Sequence, residues 1–137
     1  MAFQGTLAVG SPIEIQTVLV PGTQISSSQP LFVKWTGGDP GTIVKVTLVS
    51  ILGQGVYSQS EYAYADAAFG SITIGTQCSG YDRPICSFAI PSSRNAEVVV
   101  EVFPAPITLT QIGAQGLTGK IDFSWIYRYV YGGLSLQ

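Results

Sequence analysis

No histidine occurs among the 137 residues, and the chain has only two cysteines and one methionine. Histidine is the side chain that titrates near neutral pH, and it is the commonest general base and metal ligand. With soft ligands limited to Cys78, Cys86 and Met1, acid–base, nucleophilic and metal chemistry are short of parts. Zinc needs about four ligands, and two thiolates without histidine do not supply them. Charge is scarce too: Asp, Glu, Lys and Arg make up 10% of the chain, against roughly a quarter in ordinary globular domains. The net charge is −2, and Lys34, Lys45, Arg83, Arg94, Lys120 and Arg128 stand singly. No basic stripe exists to neutralise phosphates, which excludes nucleic acid as a partner. Nor is there a basic cluster for an anionic membrane. Mean hydropathy is +0.35, yet no window approaches about 18 uninterrupted apolar residues, so no membrane-spanning helix is expected. The composition points to a binding or building module, with no catalytic residue, metal or cofactor.

The first residues, MAFQGTLAVGSP, carry neither the basic leader nor the apolar stretch of a signal peptide. Two settings fit: a cytoplasmic protein, or a piece of a larger exported chain whose signal lies upstream. The cysteines favour the second. Cys78 and Cys86 bracket SGYDRPI, a polar turn-forming segment, and an even pair closing a short loop reads as a disulfide. It would stabilise the fold by roughly 2.5 kcal/mol in the chain-entropy model. Two reduced thiols are the alternative.

What is present is the pattern of strands. Segments rich in Val, Ile, Thr, Tyr and Phe recur between Gly, Pro, Ser and Asp clusters. They predict strands at Phe3–Val9, Ile13–Val20, Leu31–Trp35, Ile43–Leu52, Val56–Ala63, Ser71–Cys78, Cys86–Ile90, Glu97–Phe103, Ile107–Ile112, Gly119–Ile126 and Tyr129–Leu136. Pro21-Gly22 and the run Gly37-Gly38-Asp39-Pro40-Gly41 mark turns. Gly53-Gln54-Gly55 suits a hairpin, and Pro104-Ala105-Pro106 a sheet crossing or an edge. Gln24–Gln29 reads as a polar surface connection. Only Glu61–Phe69 leaves room for a helical turn. Alternation predicts that Val44, Val46, Leu48 and Ser50 face the core, as do Val98, Val100 and Val102, with Glu97 and Glu101 outward. Many short strands with one wet face predict an all-β fold, an antiparallel two-sheet β-sandwich. The length suggests a single domain over residues 1–137, with residues 1–28 as N-terminal strands or an extension.

Leu31–Gly41, LFVKWTGGDPG, is similar to a segment of a known family. A strand ending in Trp and followed by Thr-Gly-Gly-Asp-Pro resembles the immunoglobulin-like domain at the C-terminal end of large exported acidobacterial-type proteins. Ile43–Ser50, Cys86, the phrase Phe88-Ala89-Ile90-Pro91-Ser92 and the terminal Leu134-Ser135-Leu136-Gln137 follow in that family's order. The similarity covers roughly Gln29 to Gln137; the region before it and Tyr62–Ala68 depart from it. The resemblance implies an immunoglobulin-like fold, an extracellular or cell-surface location and no enzymatic activity, without naming a ligand. Trp35 would pack over the inter-sheet core, as a Trp does in such sandwiches, with a surface role as the alternative. The eight-residue separation of the cysteines cannot join central strands of opposite sheets, so that pair would staple a loop.

Candidate binding residues are aromatic. Ile121, Phe123, Trp125, Tyr127, Tyr129 and Tyr131 alternate, and one unbroken strand would put all six on one face. Such a row can stack sugar rings while phenol hydroxyls supply polar contacts, so Trp125, Tyr127, Tyr129 and Tyr131 are the candidates for binding polysaccharide. The same residues also suit a core with tyrosines at its rim, or an association surface. A second group, Tyr57, Tyr62, Tyr64 and Phe69, surrounds Glu61 and Asp66. It suits a binding loop or a flap folded over the sandwich edge. Glu97 and Glu101 lie on an outward strand face, not in the cleft that glycoside hydrolysis needs. Asp39 and Asp82 read as turn formers. The N-terminal strands carry one charge, Glu14, and fit either their own sheet or strand donation to a neighbour. The expected role is a non-catalytic structural or adhesion module whose partners are other protein modules or copies of itself. Carbohydrate binding and self-assembly by strand exchange are the alternatives.

Overall fold

Two runs of alternating residues, around Val46 and Val100, organise the rest of the chain. A computed structural model describes residues 11–26, 29–52, 57–74, 94–105, 107–109 and 121–136. Among these the chain is mostly β. Its strands are β1 (Ile13–Ile15), β2 (Gln24–Ile25), β3 (Leu31–Gly37), β4 (Ile43–Leu52), β5 (Tyr57–Asp66), β6 (Ser71–Ile74), β7 (Arg94–Phe103), β8 (Ile107–Leu109), β9 (Ile121–Phe123) and β10 (Tyr127–Leu136). The expected strands at Phe3–Val9 and Cys86–Ile90, the turn Gly53-Gln54-Gly55 and both cysteines lie outside the described residues. No described helix is long and apolar enough to cross a membrane.

Five strands form one curled sheet in the order β2-β10-β7-β4-β5, and three form a second, β1-β3-β6. A β8-β9 ribbon stands apart, reached through Pro104 and Ala105. All pairings are antiparallel except β2 with β10. Val44, Val46, Leu48, Val98, Val100 and Val102 are at most 2% exposed, as the alternation requires. They share one core with Ile13, Val33, Trp35, Ile72 and Ile74 of the smaller sheet. Burying each Val, Leu or Ile contributes about 1.5–3 kcal/mol. Ser50 also points inward, and its hydroxyl has no hydrogen-bond partner among the described residues.

Trp35 is a core residue. Its indole N–H donates to the Ala67 carbonyl at 2.9 Å, and Ala67 N–H donates to the Thr42 carbonyl at 2.8 Å. Asp66 caps this corner by accepting from Ala68 N–H at 2.9 Å. A 3-10 turn at Ala67–Phe69 therefore carries the chain from β5 in one sheet to β6 in the other. The helical turn allowed within Glu61–Phe69 is this corner alone; the residues before it are strand.

Two departures from the sequence pattern have local causes. The strand expected over Ile13–Val20 stops at Ile15, because the Thr17 hydroxyl takes over the pairing to β3. It accepts from Lys34 N–H at 2.8 Å and lies 3.4 Å from the Phe32 carbonyl. Gln24–Ile25, expected as surface connection, is a strand whose Ile25 is buried. It lies parallel to Ser135–Leu136, a pairing far away in sequence.

β10 changes face at its bulge. Tyr131 stands opposite Val98 and Leu134 opposite Ala96, so three steps on β10 match two on β7. The shift turns Leu134 and Leu136 into the core after Tyr127, Tyr129 and Tyr131. Gly133 has φ +71, and a Cβ there would lie 3.1 Å from Pro21 Cβ. The turn containing Pro21 is tied on by Gly22 N–H donating to the Gly133 carbonyl at 2.8 Å. A Cβ on Gly132 would meet nothing within 4 Å. Gly133→Ala is therefore expected to lower stability by about 1–2 kcal/mol in urea titration, whereas Gly132→Ala is expected to leave it unchanged or slightly raised.

Candidate functional site

The strand register assembles an open face on the outside of the five-stranded sheet. Outward residues of β10, β7, β4 and β5 meet in cross-strand rows. One row runs Arg128–Glu101–Lys45–Tyr64, and the next runs Val130–Val99–Thr47–Tyr62. The first alternates cation, anion and cation before its aromatic end; the second is largely apolar. Directly opposed side chains on such rows are the units of contact on a sheet surface.

Lys45 ties the two rows together. Its ammonium lies 5.0 Å from the Tyr62 ring centroid, 5.5 Å from that of Tyr64 and 3.8 Å from Glu101 Oε1. The two rings meet edge to face at 5.7 Å and 79°. Each cation–ring contact contributes about 0.5–1 kcal/mol at an exposed site, and the partly exposed ion pair about 1 kcal/mol or less. Together these contacts orient two rings that remain open to solvent: Tyr62 is 58% exposed and Tyr64 57%. Phe69, at the corner that follows, is 76% exposed. These side chains are thus not folded over the sandwich edge. Val99 shares the outward face with Glu97 and Glu101 but is only 4% exposed, flanked by Val130 and Thr47 in its row.

The C-terminal aromatic row is divided. Ile121 and Phe123 belong to β9, which pairs with β8, whereas Tyr127 begins β10 in the large sheet. The strand expected over Gly119–Ile126 ends at Phe123 and the next begins at Tyr127 rather than Tyr129, so the break falls at 124–126 and one common face for all six residues does not form. Tyr127, Tyr129 and Tyr131 do share a face. It is the inner one, opposite Val102, Val100 and Val98, where all three are half-buried against the core. Trp125 is half-buried in the interruption, and its indole N–H is buried with no hydrogen-bond partner among the described residues. Burial, and secondarily the neighbouring Tyr129, raises the Tyr131 pKa above the usual 10.0.

Both faces offer stacking, apolar contact and hydrogen bonding. Among the described residues no group of three or more Asp, Glu, Cys or His side chains converges on a point where a metal could sit. Asp39 serves a turn, its carbonyl accepting from Thr42 N–H and its carboxylate from Ser11 N–H. Sequence patterning overlooked the outer rows because their members come from four separate strands. The visible signal was Tyr-Ala-Tyr-Ala at 62–65, where the large residues point out and the small ones in.

No protein-family model matches the chain, and comparison with curated proteins and with solved structures likewise found no match.

The raised pKa has a measurable consequence. Below about pH 10 the Tyr131 hydroxyl is neutral in folded and unfolded chains alike, and stability is unaffected. Above it the unfolded chain ionises first, so stability falls as pH rises through the folded-state pKa. Absorbance titration at 295 nm is expected to show one late tyrosine that is missing in Tyr131→Phe, and the alkaline loss of stability is expected to be shallower in that variant.

Proposed function

We propose that the chain is a non-catalytic, immunoglobulin-like module of an exported bacterial protein, acting in structure or adhesion at the cell surface. The observation that carries this is the outer sheet face, where exposed Tyr62 and Tyr64 are held by Lys45 beside the Arg128–Glu101–Lys45 row. An open face with aromatic, apolar and mixed-charge rows suits contact with another protein surface, where aromatic and arginine residues carry much of the binding energy. Strand order supports the immunoglobulin-like assignment. The run β10-β7-β4-β5 has the order of the G, F, C and C′ strands, and β1-β3-β6 that of A, B and E. Against that scheme Trp35 falls on β3, the B position, rather than on C.

The test is display of the chain on a non-adherent bacterium, with attachment to protein-coated surfaces counted under flow. Attachment several-fold above undisplayed cells, lost on combining Arg128→Glu with Val130→Asp, is the expected result. Both changes fall on exposed side chains. Because Arg128 opposes Glu101 and Val130 covers Val99, the melting temperature is measured alongside, and Arg128→Ala with Val130→Thr is the milder variant that should lose attachment while folded. Attachment no better than background would refute the adhesion role. The exported setting further predicts that mass spectrometry finds Cys78 and Cys86 two hydrogens lighter together than as free thiols; free thiols in oxidised, exported material would contradict it.

A second proposal, polysaccharide binding through Trp125, Tyr127, Tyr129 and Tyr131, is favoured by an indole N–H with no hydrogen-bond partner among the described residues, just before three half-buried tyrosines in the chain. It predicts polysaccharide pull-down that Trp125→Ala abolishes without unfolding, and no retention by any polysaccharide would remove it.

A further inference from the structure

Among the sheet edges, β5 differs from the rest. The other outermost strands, β1, β2 and β6, are three, two and four residues long. β5 has ten residues, contains no proline or lysine, and pairs with β4 without a register shift. Among the described residues it has no sheet partner on its other side. Monomeric proteins blunt such edges with short strands, bulges, proline or inward charge; this one is long, regular and flanked by exposed aromatic rings, with Glu61, opposite Leu48, the one charge at an inward register position.

The direction of its backbone groups follows from one hydrogen bond. Ala67 N–H donates to the Thr42 carbonyl, which continues the register of Asp66 opposite Ile43. Antiparallel pairs alternate between those that bond each other and those whose polar groups point away. Ala65, Ala63 and Glu61 share the parity of Ala67 and therefore bond to β4. Ser60, Tyr62 and Tyr64 direct their N–H and C=O groups toward the free edge.

We infer that this edge pairs with the same edge of a second copy, antiparallel, about a two-fold axis at Ala63. In that register Tyr62 stands opposite Tyr64 of the second copy in a hydrogen-bonded pair, and Tyr64 opposite Tyr62. The four rings meet on the outer face, where cross-strand aromatic pairs stabilise a sheet. Glu61 faces Ala65 and Asp66 faces Ser60, so no carboxylate opposes another. Other two-fold registers are worse. An axis at Glu61 sets the two glutamates against each other, one at Tyr62 leaves Tyr64 facing Ser60, and one at Tyr64 puts Tyr62 against Asp66. A contact limited to Ser60–Asp66 is small beside the roughly 800 Å² per partner of a standard interface, so the dimer is reversible and weak. This pairing rests on backbone geometry and not on the adhesion role, and Arg128→Glu with Val130→Asp leaves it untouched.

Sedimentation equilibrium of the purified chain, from roughly 10 µM to 1 mM, tests it. The expected result is a monomer–dimer equilibrium that weakens at least tenfold in Tyr62→Pro and in Tyr64→Lys. Tyr62→Pro removes an N–H that pairs with no described residue of the monomer, a change tolerated on edge strands, and Tyr64→Lys restores the charge that guards such edges. Far-UV circular dichroism checks that each variant folds, and Tyr64→Lys decides the matter if Tyr62→Pro does not. A wild-type chain monomeric throughout the range overturns the inference, as does an association that the folded variants leave intact.

Discussion

Burial of the inward faces of β4 and β7 is the constraint on which the rest of the structure depends. Val44, Val46, Leu48, Val98, Val100 and Val102 can all reach the core only in registers of one parity, because a slip of one residue would turn every side chain to the opposite face, and the register adopted sets Val44 against Val102, Val46 against Val100 and Leu48 against Val98. Once that register is set, the outer face is set with it. Lys45 must stand beside Glu101, and Thr47 beside Val99. The candidate surface is thus the reverse side of the core, specified by the same alternation.

The second consequence concerns the margins of the sheet. β5 is attached to the fold on one side by β4 and at its end by the Trp35–Ala67 corner. Ala63 and Ala65 pack inward, and Tyr62 and Tyr64 point outward. Small inward residues contribute little burial, so the strand depends on main-chain pairing and on the Lys45–tyrosine contacts. At the opposite margin β10 depends on a bulge instead. Gly133 changes the inward parity so that tyrosines serve the first half of the strand and leucines the second.

Much of the fold was legible because burial has a period of two in strands. Ile43–Leu52 was bounded to the residue, its inward set was right, and β7 differed at its start alone. Trp35 was expected in the core by analogy with the tryptophan of immunoglobulin-like sandwiches, and it lies there. The misses share a cause. β2 is two residues long, too short for any pattern, and exists because Ser135 and Leu136 lie alongside. Thr17 looks like a strand residue, yet its hydroxyl substitutes for the ladder. Trp125 sits in an unbroken alternation by sequence but in a break by structure, since β9 and β10 belong to different sheets. Tyr127, Tyr129 and Tyr131 of β10 alternate in sequence just as Tyr62 and Tyr64 of β5 do; the first three are inward, the other two outward.

The sequence by itself determined that the chain is all-β, which face of each central strand is buried, and that its chemistry lacks histidine. Those properties follow from residue type and spacing within one segment. Tertiary structure alone decided that Arg128, Glu101, Lys45 and Tyr64 form a row, and that Tyr62 and Tyr64 reach solvent while Tyr127, Tyr129 and Tyr131 turn inward. Such neighbours are set by strand order and register, in which residues as far apart as Lys45 and Glu101 come to lie side by side across adjacent strands.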